Sequence, residues 1–326
     1  MNSEEFVKMM LLDGCFVLEF MNSTICRKRY WGQNEDDWMD DTLLCGLLYD
    51  LKSDSTMFEN QLPFFVRQKL FRQNEPPPSM NFMASMAHLF IATTGRYHLH
   101  CSEVDNTHKV RHLVDLLRFY YIPSSPDTEE YKNYKKTKRN KYINIPTITE
   151  LCEAGVKLQR ADETNSLMDF SFKNGLLKIP PFNIHINFEI QIRNLIVSEI
   201  LHGGSDQKFI FYYLALLDDL INTEKDVSIL VKKKIITNEI GGNDEQISEL
   251  INNLRLNAPT FSPKYYYSNM SKDLNEYCNK WWHRSMAPLR RDYFNTPWAS
   301  ISFVAATVLL LLTLLQTLFS APSILH

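Results

Sequence analysis

The chain has 326 residues, a formal net charge of −3 and a hydrophobic fraction of 44%. That length holds one large domain or two modest ones, and the near-neutral charge gives no global electrostatic basis for binding nucleic acid, so none is expected as a partner. Ten glycines and fourteen prolines exclude a collagen-like or broadly disordered chain.

From the N-terminus, Phe6 to Phe20 is rich in apolar residues, but Asp13 and Glu19 interrupt it, Glu4 and Glu5 precede it, and Lys8 is its one cation. This pattern predicts an amphipathic helix rather than a secretory leader. The cysteines at 15, 26, 45, 101, 152 and 278 form no Cys-x-x-Cys pair, which predicts mostly reduced core thiols facing a reducing compartment. Glu59-Asn60-Gln61-Leu62-Pro63 places three polar side chains before a proline, as a buried junction between helices requires. His98, His100, Cys101, His108 and His112 follow within fifteen residues. His108 and His112, at i and i+4, are weak candidates for a metal pair. Because His112 opens a His-Leu-Val-Asp-Leu-Leu run, structural histidines are the preferred reading, and no metal or other cofactor is expected. A mobile basic loop is predicted at about 122–146, where Pro123 and Pro126 precede Lys132, Lys135, Lys136, Lys138, Arg139 and Lys141.

Thr147 with Glu150, Thr223 with Asp226 and Asn243 with Gln246 have the spacing of capping pairs that open helices. A small β-hairpin is predicted at about 167–179, because Asn174-Gly175 separates two apolar runs and Pro180-Pro181 stops the second. Phe209 to Leu217 is apolar on every side and reads as a central buried helix. Asp218-Asp219 at its end resembles a diphosphate-metal motif of helical terpene synthases. The downstream partner motif fails, since Asn243-Asp244 is followed by Ile247 and Ile251 at positions that need ligands. Glycine-rich dinucleotide, phosphate-loop, Gly-x-Ser-x-Gly and His-Glu signatures are absent from the sequence, so no catalytic or cofactor-binding residue is assigned and no enzyme is expected.

Residues 298–319 predict a transmembrane helix of roughly 33 Å. Its anchoring residues are Trp298, Ile301, Phe303, Val304, Val308, Leu309, Leu310, Leu311, Leu312, Leu314, Leu315, Leu318 and Phe319, flanked by Trp281, Trp282, Arg284, Arg290 and Arg291. The flank's charge predicts a tail-anchored, single-pass protein with its body in the cytosol and the lipid bilayer as a partner.

The motifs taken together resemble the plant domain of unknown function 247 family. The matching stretches are Leu12-Asp13-Gly14-Cys15-Phe16, Glu59-Asn60-Gln61-Leu62-Pro63, His112-Leu113-Val114-Asp115, Glu153-Ala154-Gly155-Val156, Phe172-Lys173-Asn174-Gly175, Asp219-Leu220-Ile221-Asn222-Thr223 and Asn295-Thr296-Pro297-Trp298. Members commonly carry a further upstream segment with a Gly-Pro-Tyr-His run that this sequence lacks. The resemblance implies a helical body with a C-terminal membrane helix and no known catalytic residues. It also implies recognition or signalling, since some grass members are linked to pollen self-incompatibility. The expected architecture is therefore predominantly α, with a helical body over 1–262, a juxtamembrane helix and flank over 263–297, the membrane helix and a short tail over 320–326. The expected function is non-enzymatic recognition of a protein partner. The alternative is an uncharacterised enzyme or metal-binding protein using His108/His112 or Asp218/Asp219.

Overall fold

The computed structural model describes residues 2–30, 50–73, 86, 110–122, 129–136, 142–161, 166–202, 208–256, 264–280 and 297–320. Helix α1 (Ser3–Tyr30) opens on a reciprocal pair in which Asn2 Oδ1 accepts from Glu5 N at 2.7 Å and Glu5 Oε2 accepts from Asn2 N at 3.1 Å. It packs against α2 (Phe64–Gln73). Gly14 permits that approach, because a β-carbon there would lie 2.5 Å from Leu70 Cδ1. Helices α3 (Leu113–Tyr121), α4 (Glu129–Lys136) and α5 (Ile148–Glu153) follow.

The strands are short and their pairings are partly non-local. Strands β2 (Ser171–Lys173) and β3 (Leu176–Ile179) form the antiparallel hairpin, with Ser171 opposite Lys178. Asn174 and Gly175 turn it with φ of 52° and 76°, the positive pair that a tight two-residue hairpin turn needs. Strand β1 (Lys157–Arg160) adds in parallel to β3, giving the order β1-β3-β2. A second, two-stranded sheet pairs β4 (Phe182–Ile184) in parallel with β5 (Ile236–Asn238).

Between those two strands run α6 (Phe188–His202), α7 (Phe209–Leu220) and α8 (Glu224–Lys232); α9 (Asp244–Leu256) and α10 (Ser268–Asn279) complete the body. Helix α7 is its centre. Every residue from Phe209 to Leu217 is buried, as an all-apolar helix must be. Around it stands a network of aromatic rings, among them Tyr134, Tyr212, Tyr265 and Tyr266, with centroids about 6 Å apart in edge-on contact. The three capping pairs form as expected. Glu150 and Thr147 exchange hydrogen bonds at 2.9 and 3.3 Å, Asp226 accepts from Thr223 N at 2.9 Å, and Asn243 and Gln246 are reciprocal at 3.2 and 2.9 Å.

Several expectations require correction. Residues 297–320 are helical (α11, Pro297–Ser320), but among the described residues no helix is long and apolar enough to cross a membrane. The transmembrane helix over 298–319 is therefore not supported, and the single-pass, tail-anchored topology and the cytosol-facing body lose their basis. Trp298, Ile301, Phe303, Val304, Val308, Leu309, Leu310, Leu311, Leu312, Leu314 and Leu315 are exposed on α11. The side chains of Leu318 and Phe319, and Trp281, Trp282, Arg284, Arg290 and Arg291 entirely, lie outside the described residues. The basic stretch expected to be loop contains α4, which is anchored by buried Tyr134 and by Tyr131, stacked on Phe209 at 6.4 Å. The hairpin begins later than expected, because Leu167 and Met168 are buried in a turn tied to Ser166. Nor are the thiols uniformly core groups, since Cys15 is exposed and Cys152 and Cys278 are half-buried.

Candidate functional site

The acidic end of α7 is the first place where the sequence offers chemistry. Asp219 accepts a hydrogen bond from the Tyr142 hydroxyl, and Asp218 lies 4.0 Å from Arg255 of α9. Burial pushes the Asp219 carboxyl up to about 6; the charge of Asp218 adds to this, while Tyr142 and the Ile145 N–H oppose it. The two carboxylates thus face a phenol and a guanidinium rather than a shared metal position. The downstream Ile247 and Ile251 are fully buried core residues.

His112 caps a helix. Its Nδ1 accepts from Asp115 N at 3.2 Å, and its ring stands edge-on to Phe58 with centroids 5.6 Å apart. Asp115 also holds Arg111 at 2.6 Å. His108 lies outside the described residues. Among the described residues no group of three or more His, Cys, Asp or Glu is placed to hold a metal ion.

The expected buried junction forms only in part: Glu59 and Asn60 are exposed, and half-buried Gln61 makes the contacts. Its Oε1 accepts from Val114 N at 3.2 Å, and its Nε2 donates to Ser55 O and Met57 O at 2.9 and 2.6 Å. Loose backbone groups at the start of α3 and before Phe58 thereby gain partners.

Residues 1–312 match DUF247, the plant protein of unknown function family. The chain belongs to that family. It is similar to the Arabidopsis thaliana UPF0481 protein At3g47200, 26% identical over 339 residues, covering 98% of this chain and 68% of the relative. A second Arabidopsis thaliana UPF0481 protein, At3g02645, is 27% identical over 179 residues, covering 55% of this chain and 33% of the relative. No solved structure matches the chain.

One buried carboxylate of this DUF247 chain, Glu199, carries no signal in the sequence, and a second, the capping Asp226, takes more donors than its expected partner supplies. Glu199 of α6 is 3% exposed and accepts from the N–H groups of Ile210 and Phe211 at 3.1 and 3.4 Å, capping α7, while Arg118 of α3 reaches it at 3.2 Å. Burial raises its carboxyl above the usual range, against the pull of Arg118 and the two N–H groups. Asp226 accepts from Thr149 N and Oγ1, Thr223 N and Oγ1, and Asn222 N at 2.6–3.2 Å. Its carboxyl is lowered: burial works the other way, but the hydrogen bonds from Thr149 and Thr223 prevail.

The surface carries two features suited to contact. A cleft of about 420 Å³ lies between the hairpin tip and α10, with Lys173, Asp273, Glu276 and Lys280 around Phe172 and Tyr277. On α6, Val197, Ile200 and Leu201 occur at i, i+3 and i+4 and are exposed, Ile200 by 53% and Leu201 by 60%, while Ile192 and Leu195 of the same helix are buried. This helix is apolar on its inner side and retains an apolar stripe outside. Its sequence gives the signal: Leu195-Ile196-Val197 and Ile200-Leu201 together exceed what one buried face can absorb.

Proposed function

We propose that this DUF247 chain works by binding another protein rather than by catalysing a reaction, and that the outer stripe of α6 is part of the contact. The observation that carries this reading is the exposure of Val197, Ile200 and Leu201 on one helix face, with exposed Ile186 just before the helix. Apolar side chains grouped on a surface, unlike scattered ones, favour a partner's apolar face. The partner that suits them offers an amphipathic helix or sheet face, with polar groups to meet the Glu189–Arg193 pair at 2.6 Å on the same helix. A non-catalytic role is supported by the bonding of the groups that first suggested chemistry. Asp219 is bonded to Tyr142 and His112 to the Asp115 N–H.

Quantitative affinity capture from plant tissue tests this with the native chain and an Ile200→Glu/Leu201→Lys variant. The proposal expects a stoichiometric partner that the variant loses at unchanged thermal stability. Metal analysis of the purified chain is the opposing test. Stoichiometric zinc lost on changing His108 and His112 to alanine would replace this reading with a metal-dependent one.

A further inference from the structure

Arg67 lies in the middle of the buried face of α2, with Phe64 and Phe71 at i−3 and i+4 on the same side. It is 1% exposed. Among the described residues no hydrogen-bond partner stands at its Nε or Nη1. The contrast with the other buried charges is sharp. Asp115 holds Arg111, Glu199 holds Arg118 and two backbone N–H groups, and Asp226 takes five donors. Burial pushes the Arg67 guanidinium down only to about 10, so it remains charged at neutral pH. An enclosed charge with no counter-charge among the described residues is strongly unfavourable, and an apolar side chain of the same size would serve packing better. A guanidinium at such a position is suited to an oxyanion, whose two oxygens its planar fork can engage at once.

We propose that Arg67 anchors a buried anion site that takes a carboxylate or phosphate group of a small ligand. The occupant supplies the counter-charge that the described residues do not, and bound anion stabilises the fold by mass action. The two oxyanion types share this chemistry, and size and charge distinguish them.

Thermal unfolding of the full chain in sodium phosphate, sodium acetate and sodium chloride at matched ionic strength tests the site. At least one of the two oxyanions should raise Tm saturably by about 2–4 °C over chloride, and the one that does identifies the type. Arg67→Met, which keeps the volume and removes the charge, should show no such rise. Identical Tm in all three salts, or an undiminished oxyanion response in Arg67→Met, overturns the proposal. Should Arg67→Met fail to fold, Arg67→Lys keeps the charge without the planar fork, and its response should weaken at least fivefold in apparent affinity. An unchanged affinity in Arg67→Lys overturns the proposal equally.

Discussion

A β-carbon placed on Gly175 would lie 2.5 Å from the Tyr277 hydroxyl oxygen and 2.8 Å from the ring carbon that bears it. The hairpin tip is thus held against α10 by the absence of a side chain, and Phe172 stands edge-on to the same ring at 5.5 Å. Gly175 also has a φ of 76°, which costs a residue with a β-carbon about 1–2 kcal/mol.

Gly175→Val should therefore destabilise the body by about 2–4 kcal/mol, combining the turn penalty with overpacking. Asn174→Asp should change stability by less than about 0.5 kcal/mol, because aspartate tolerates the left-handed region. Urea denaturation reads both. Equal midpoints for the two variants would contradict a tight turn packed on Tyr277.

Glu199 joins α3, α6 and the start of α7 through one carboxylate. Glu199→Ala leaves the Ile210 and Phe211 N–H groups and the Arg118 guanidinium without it, so a loss of about 3–5 kcal/mol is expected. Changing both charged partners, as Arg118→Met with Glu199→Leu, should recover part of that loss. A double-mutant cycle by chemical denaturation measures the recovery. Strict additivity would mean that the pair is not coupled.

Asp219 and Asp226 should give stability opposite dependences on pH. The Asp226 carboxyl is lowered in the folded chain, so its contribution is complete above the unfolded value of about 3.9 and is lost as pH falls through the lower folded value. The Asp219 carboxyl is held near 6. The folded chain then carries the extra proton between about pH 4 and 6, and stability falls as pH rises through that window. Denaturation midpoints from pH 3 to 8 test both signs. Asp219→Asn should flatten the slope above pH 4, and Asp226→Asn the loss on the acid side. A wild-type slope retained in Asp219→Asn would remove this residue from the account.

What the sequence discloses here is chiefly local. Asn174-Gly175 and the pairs Thr147/Glu150 and Asn243/Gln246 act within four residues of themselves, so spacing alone identifies them. The β4–β5 pairing joins Phe182 to Ile236 across three helices, and three-residue strands carry too little periodicity to be recognised. Helix α4 was hidden by lysines, since Tyr131 and Tyr134 are the pair that faces the core. Asp218-Asp219 looked like a metal motif because Tyr142 and Arg255, which engage those carboxylates, lie far away in the chain. The apolar run after Trp298 forms a helix, but among the described residues no helix is long and apolar enough to cross a membrane. Glu199 and Arg67 are ordinary charged residues in sequence, and their burial alone makes them significant.

The central claim, that the chain functions through a protein contact on α6, is tested most directly by comparing captured partners for the native chain and the Ile200→Glu/Leu201→Lys variant. Both substitutions are at exposed positions, so Tm should move by no more than about 2 °C. The account predicts that a partner present at near one-to-one ratio with the native chain falls at least tenfold with the variant. An identical partner set at identical ratios for both chains would contradict it.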